Sequence, residues 1–247
     1  MKNLKNKIAL ITGGNSGIGF ETAKAFVTQG ATTIITGRRK EAIIEAADTI
    51  GAIPLVADQS LLSDIERLAA EVKERYGKLD ILFINAGITG EAAMIADARE
   101  ETFDSVMDIN LKGAYFTLSR FIPLLQEGAS VIFLSSNVAS MNMPQSSIYQ
   151  ASKAALNTIA KTAALELAER KIRVNTVSPG PTRTQVLNKS YDPALVDGIW
   201  ESLAGTVPLK KIGKPEDVAA MVVYLASESA TFITGSDFVL DGGMKIS

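Results

Sequence analysis

A chain of 247 residues and 26.2 kDa has room for one large core, and a net charge of −2 with a pI near 5.4 gives no basic footprint for nucleic acid or an anionic membrane. It contains no cysteine and no histidine, which excludes disulfides, thiolate metal sites and imidazole ligands, so no catalytic metal is expected. With 47% hydrophobic but only 6% aromatic residues, the core must be built from Ala, Val, Ile and Leu.

Near the N-terminus, residues 1–14 carry lysines but no long apolar signal region, and no apolar run reaches membrane-spanning length, so a cytoplasmic location is expected. Short apolar runs then recur at residues 7–12, 32–36, 52–57, 79–85, 130–136, 172–178 and 236–241. Their consecutive Ile, Val and Leu are the pattern of strands buried on both faces. Segments of helical spacing lie between them, among them 17–29, 61–76 and 105–126. This alternation predicts parallel strands joined by right-handed crossovers. The expected fold is therefore α/β: one doubly wound Rossmann domain over residues 1–247, with a parallel seven-stranded sheet and helices on both faces. Residues 182–214 interrupt the pattern with Pro, Gly, Asn and the only tryptophan, and are expected to form a small substrate lid.

Directly after the first strand, Gly13, Gly17 and Gly19 stand at the mouth of a helix. Glycines there permit a tight turn and a close backbone approach, and the helix N-terminus attracts a pyrophosphate. The arrangement T-G-x-x-x-G-x-G, from Thr12 to Gly19, resembles that of the short-chain dehydrogenase/reductase family. Further motifs of that family follow in order: Asn85-Ala86-Gly87 after the fourth strand, Asn110 within DINLKG, and Ser136 at the end of VIFLSS. Tyr149-x-x-x-Lys153 comes next, then Ser178-Pro179-Gly180, with Thr182 and Thr184 beyond. Ile84 and Ser16 depart from the pattern, since the family often has Asn at the first place and some NADP-using members a basic residue at the second. The resemblance implies a cofactor site formed by Gly13, Asn15, Ser16, Gly17, Ile18, Gly19, Asp58, Asn85, Ala86, Gly87, Tyr149, Lys153, Pro179, Gly180, Thr182 and Thr184.

With no histidine, proton transfer near neutrality needs another donor. Tyr149 and Lys153 are four apart and share a helix face, where the ammonium is expected to lower the tyrosine pKa. The resemblance implies that Tyr149 protonates a substrate carbonyl while Ser136 hydrogen-bonds the same oxygen. It also implies that Lys153 holds the nicotinamide ribose and that Asn110 anchors a water leading to solvent.

At the end of the second strand, 18 residues after Gly19, Gly37 stands where NAD-binding folds place an acidic residue, and Arg38 and Arg39 follow. Two guanidinium groups without a carboxylate suit a 2′-phosphate, so NADPH is expected over NADH. The expected substrate wall is apolar: Val186, Leu187, Tyr191, Ile199, Trp200 and Leu203 in the lid, Met141, Met143 and Gln145 before the tyrosine, and Met244 near the C-terminus. Such a wall suits a hydrophobic ketone. Broad apolar faces on residues 105–126 and 149–169, with the resemblance, suggest a homotetramer. The alternative is a 3-oxoacyl reductase for carrier-bound chains, whose C-terminus residues 213–244 resemble. A non-catalytic nucleotide sensor is a third reading, and the complete set Asn110, Ser136, Tyr149 and Lys153 argues against it.

Overall fold

A computed structural model of the chain describes residues 3–185 and 192–247. Seven strands, β1 (Ile8–Thr12), β2 (Thr32–Gly37), β3 (Ile53–Val56), β4 (Leu79–Ile84), β5 (Leu125–Leu134), β6 (Arg173–Pro179) and β7 (Asp237–Leu240), form one sheet in the order 3-2-1-4-5-6-7. Every neighbouring pair is parallel. Strand order reverses between β1 and β4, which opens a crevice at their carboxyl ends.

Successive side chains of a strand point to opposite faces, and here both faces are buried. Leu10, Ile34, Val131 and Phe133 pack with α3 (Leu62–Tyr76), α5 (Ala114–Phe121) and α6 (Ser147–Glu166) through Leu68, Val72, Leu118, Phe121, Leu156 and Ala160. Ala9, Ile11, Ile35 and Ile132 pack on the other side with α1 (Gly17–Thr28), α2 (Lys40–Ile50) and α8 (Pro215–Ala226), through Ala23, Phe26, Ile43, Val218 and Val222. Each fully buried Leu, Ile, Val or Phe contributes about 1.5–3 kcal/mol. These two slabs hold the carboxyl ends of the strands rigid, and the functional loops are built on those ends.

The expected helix over 105–126 is three pieces. α4 (Glu100–Met107) starts earlier, a π turn spans Asp108–Gly113, and α5 stops at Phe121. A 3-10 turn over Ile122–Leu124 contains Pro123, which has no N–H for the α-helical ladder, and Gln126 lies in β5 rather than a helix. β5 begins at Leu125 because Leu125 pairs with Leu79, before a register shift brings Ser130 opposite Ile81. α6 begins at Ser147 and ends at Glu166, short of the expected 169. Within 182–214, α7 (Pro193–Thr206) is capped by Asp192, whose carboxylate accepts from the Ala194 N–H at 2.9 Å. Val186, Leu187, Lys189 and Tyr191 lie outside the described residues. Among the described residues no helix is long and apolar enough to cross a membrane.

Candidate active site

The two strand ends that flank the crevice are stapled together. Thr12 Oγ1 accepts from the N–H groups of Asn85 (3.0 Å) and Ala86 (3.1 Å), and Asn85 Nδ2 donates to the carbonyls of Thr12 (2.8 Å) and Gly13 (3.0 Å). A Cβ on Gly19 would stand 2.3 Å from the Gly13 carbonyl oxygen and 2.5 Å from Asn85 Nδ2. Any side chain at 19 would therefore push the turn off its anchor.

A cavity of about 450 Å³ follows these strand ends. Of the expected cofactor residues it is lined by Gly13, Asn15, Ser16, Ile18, Gly37, Arg38, Arg39, Asp58, Asn85, Ala86 and Gly87. Thr36, Gln59, Ile88, Ile109 and Leu134 also line it; Ile109 and Leu134 fall within the DINLKG and VIFLSS motifs, whereas Gln59 and Ile88 belong to none. Arg38 and Arg39 are exposed at its outer end. Asp58 is tied to its own turn, with one carboxylate oxygen accepting from the Ser60 N–H (2.9 Å) and hydroxyl (2.7 Å).

The other expected contacts sit around this cavity rather than in its lining. Thr184 packs on the glycine loop, its Cγ2 placed 3.3 Å from where a Gly17 Cβ would be. Gly17 and Thr184 line a second cavity, of about 960 Å³, together with Arg39 and Trp200. Trp200, expected on the substrate wall, is buried and faces this second cavity because α7 turns it toward α1 and α2. Thr182 donates to the Gly180 carbonyl at 3.0 Å, and the Gly180 N–H donates to Leu240 at 3.0 Å.

Ser136, at the carboxyl end of β5, is buried and hydrogen-bonded to the Tyr149 hydroxyl. Its hydroxyl also lies 3.5 Å from the Pro179 carbonyl and 3.4 Å from the Val138 N–H. Lys153 is 3% exposed; its ammonium donates to the Leu134 carbonyl at 2.8 Å and sits 5.7 Å from the Tyr149 ring centre. Tyr149, Ser136 and Lys153 thus converge just past Leu134, at the inner end of the smaller cavity.

Asn110 stands in the π turn and is fully buried. Its Oδ1 accepts from the Ile88 N–H (2.8 Å), while Nδ2 donates to the Ile88 carbonyl (2.8 Å) and to Ser152 Oγ (3.1 Å). Ser152 donates in turn to the Tyr149 carbonyl at 2.7 Å. The Asn110 side chain therefore spends both amide protons on protein groups, locking the strip after β4 to the helix that carries Tyr149. Ser152 had no sequence signal beyond its place on the buried face of α6.

The electrostatics differ from the expectation that Lys153 lowers the tyrosine pKa. Burial pushes the Tyr149 hydroxyl above its ordinary 10.0, and the Ser136 hydrogen bond only partly opposes this. Burial also brings Lys153 down from 10.5 to about 8. The lysine bonds the Leu134 carbonyl, so desolvation outweighs its attraction for the phenolate. At neutral pH the tyrosine keeps its proton and the lysine keeps its charge.

Met141 and Leu203 are half-buried, and Met143 and Gln145 are exposed. Ile199 lies on α7 and Met244 opens a 3-10 turn at the C-terminus.

The family model described as Enoyl-(Acyl carrier protein) reductase matches residues 13–245. Oxidoreductase asL5 of Sarocladium schorii is 37% identical over 248 residues, which cover 99% of this chain and 98% of that protein. A short-chain type dehydrogenase/reductase from Mycobacterium marinum superposes with a TM-score of 0.89 at 32% identity, covering 100% of this chain and 98% of that one. The 3-ketoacyl-(acyl-carrier-protein) reductase of Brucella melitensis, solved with NADH, gives 0.90 at 31% identity, covering 98% of this chain and 100% of that one. Matches of this extent, on a glycine-loop crevice that ends at a Ser-Tyr-Lys cluster, place the chain in the short-chain dehydrogenase/reductase family of oxidoreductases.

Proposed function

We propose that this protein reduces a hydrophobic ketone to a secondary alcohol, reversibly, with NADPH as the hydride donor. The observation that carries the reading is the neutral hydroxyl of half-buried Tyr149, held by buried Ser136 at the inner end of the glycine-loop cavity. The residues present fit a dinucleotide. Gly19 leaves the backbone bare where a pyrophosphate would approach the α1 N-terminus, and Asn85, Ala86 and Gly87 border the path inward. Arg38 and Arg39 suit a 2′-phosphate at the outer end, with Gly37 offering no carboxylate to repel it.

When bound, the nicotinamide supplies the hydride that adds to the carbonyl carbon. Ser136 orients the carbonyl oxygen and stabilises its developing charge, and Tyr149 gives that oxygen its proton. Lys153 holds the ribose and, as an ammonium, favours the phenolate left behind. Asn110 keeps the Gly87–Ile88 strip in place through Ile88, and the proton route to solvent starts at Lys153. Residues 182–214 act as the lid.

NADPH oxidation with a panel of aryl ketones, diketones and ketoesters tests the reading, with Tyr149→Phe as control. Turnover by the wild type, lost in Tyr149→Phe while NADPH still binds, is expected. Retention of more than about a hundredth of the rate by Tyr149→Phe overturns the assigned acid, since positioned acid catalysis contributes ~10²–10⁴-fold. Exposed Lys210, Lys211 and Lys214 favour a second reading, reduction of 3-oxoacyl chains on an acidic carrier. A kcat/KM about tenfold higher for a carrier-bound chain than for every free ketone selects it, a gap of ~1.4 kcal/mol in transition-state binding.

A further inference from the structure

Gln150 follows Tyr149 on α6, and its side chain reaches back over the loop that leads into the helix. Its Nε2 donates to the Met143 carbonyl at 2.7 Å, and the Met143 N–H donates to its Oε1 at 3.4 Å. One amide thus grips both polar groups of a single backbone residue, which only a side chain with a donor and an acceptor side by side can do. Two residues on, Gln145 has φ +65°, a left-handed conformation that a residue with a Cβ adopts only when its surroundings impose it. The Gln145 carbonyl accepts from the Ala93 N–H at 3.1 Å. That bond joins the segment following β5 to the segment following β4, at the sheet end where the Ser-Tyr-Lys cluster lies.

We infer that Gln150 is a positioning residue that sets substrate selectivity: it clamps Met141–Gln145 to the Tyr149 helix, so that this loop and the Ala93 segment form one fixed wall of the substrate cleft. The inference rests on the carbonyl-reductase reading. Releasing the clamp lets the strained Gln145 relax and the wall lose its order. A bulky ketone, which needs the wall, then loses more binding than a small one that touches only Ser136 and Tyr149. A merely structural role would lower stability and affect all ketones alike.

The experiment compares wild type, Gln150→Met, which keeps the length of the side chain without its hydrogen bonds, and Gln150→Glu, which keeps an acceptor but loses the donor to Met143. Steady-state constants are measured for a small aliphatic ketone and a bulky aryl ketone, together with the NADPH Kd and amide exchange over residues 88–98 and 141–146. In Gln150→Met, KM for the aryl ketone should rise at least about fivefold relative to the small ketone, the factor one ordinary hydrogen bond is worth. Gln150→Glu should move the same way, kcat for the small ketone and the NADPH Kd should stay within about twofold, and exchange in both segments should quicken. Equal changes for both ketones, or an unchanged ratio, overturn the inference. If the wild type reduces no ketone, the parent reading has failed, and unaltered exchange over 141–146 in Gln150→Met then overturns the clamp by itself.

Discussion

Replacing Lys153 by methionine removes an ammonium that the fold buries at a measurable cost. Lys153 is 3% exposed, its one short contact is the Leu134 carbonyl at 2.8 Å, and burial brings its pKa from 10.5 to about 8. That displacement corresponds to ~3 kcal/mol of penalty on the charged form. The unfolded chain keeps the proton up to about 10.5 and the folded chain releases it near 8, so between those values the unfolded chain binds more protons. Stability therefore rises with pH across that window: the penalty is complete below about 8 and gone above about 10.5. Between pH ~7 and ~9.5 the wild type should gain about 2 kcal/mol relative to Lys153→Met, or ~4–8 °C in Tm for a chain of this size. Tyr149 does not confuse the measurement, because its raised pKa acts in the opposite sense and only above about 10. Urea unfolding of both proteins at both pH values, without nucleotide, measures the difference directly. A gap that is the same at the two pH values, or a wild type that loses ground, would refute the account of a charge desolvated by burial. The same titration should appear in catalysis: kcat/KM for reduction reports the free enzyme and should fall as pH rises through about 8.

Arg38→Ala should weaken NADPH binding by about 1.5–3 kcal/mol and NADH binding far less, as paired dissociation constants would show; equal losses would mean that Arg38 only supports its loop. Adding Gly37→Asp should reverse the preference by repelling a 2′-phosphate, and since its Cβ would stand 3.1 Å from Asn15 Oδ1, Asn15 must shift by a few tenths of an ångström. Ser152→Ala deprives the buried Asn110 amide of a partner and should cost about 1–3 kcal/mol of stability in denaturant unfolding, with a fall in kcat larger than any change in NADPH Kd. A kcat equal to that of the wild type would show that Asn110 holds Ile88 without this support.

The sheet was legible because strands buried on both faces need consecutive apolar residues, and runs such as Ala9–Ile11 and Val131–Phe133 supply them. The glycine loop was legible because close approach leaves no choice of residue at Gly19. Tyr149 and Lys153 could be paired because helical spacing alone puts residues four apart on one face. The π turn at Asp108–Gly113 was not, since it widens one turn while leaving the apolar pattern on either side intact. Nor were the partners of Asn110, because Ile88 and Ser152 are 22 and 42 residues away and only the fold brings them together. The sign of the Tyr149 shift was missed for a related reason. Spacing reports the neighbouring charge, whereas the dominant cause is burial, a property of the whole tertiary structure. Trp200 carried no signal for which side of α7 would face the smaller cavity, and it faces the larger one.

The two pKa shifts have one cause and complementary consequences. Burial favours whichever form of a group is neutral, so it raises Tyr149 and lowers Lys153, leaving the lysine the stronger acid of the pair. The proposed reduction consumes a proton at the substrate oxygen, and burial keeps a proton on Tyr149 at neutral pH for that step. Oxidation needs the phenolate, which the same burial opposes until a positive charge arrives nearby. A lysine near 8 is also a better proton source for the phenolate than an exposed lysine near 10.4, since the stronger acid gives up its proton more readily to a base whose own pKa is raised. A chain without histidine thus brings a group that titrates close to neutrality into its cleft by desolvating a lysine. The clustered residues are specified by helical spacing, but their acidities are specified by the two hydrophobic slabs that exclude water around them.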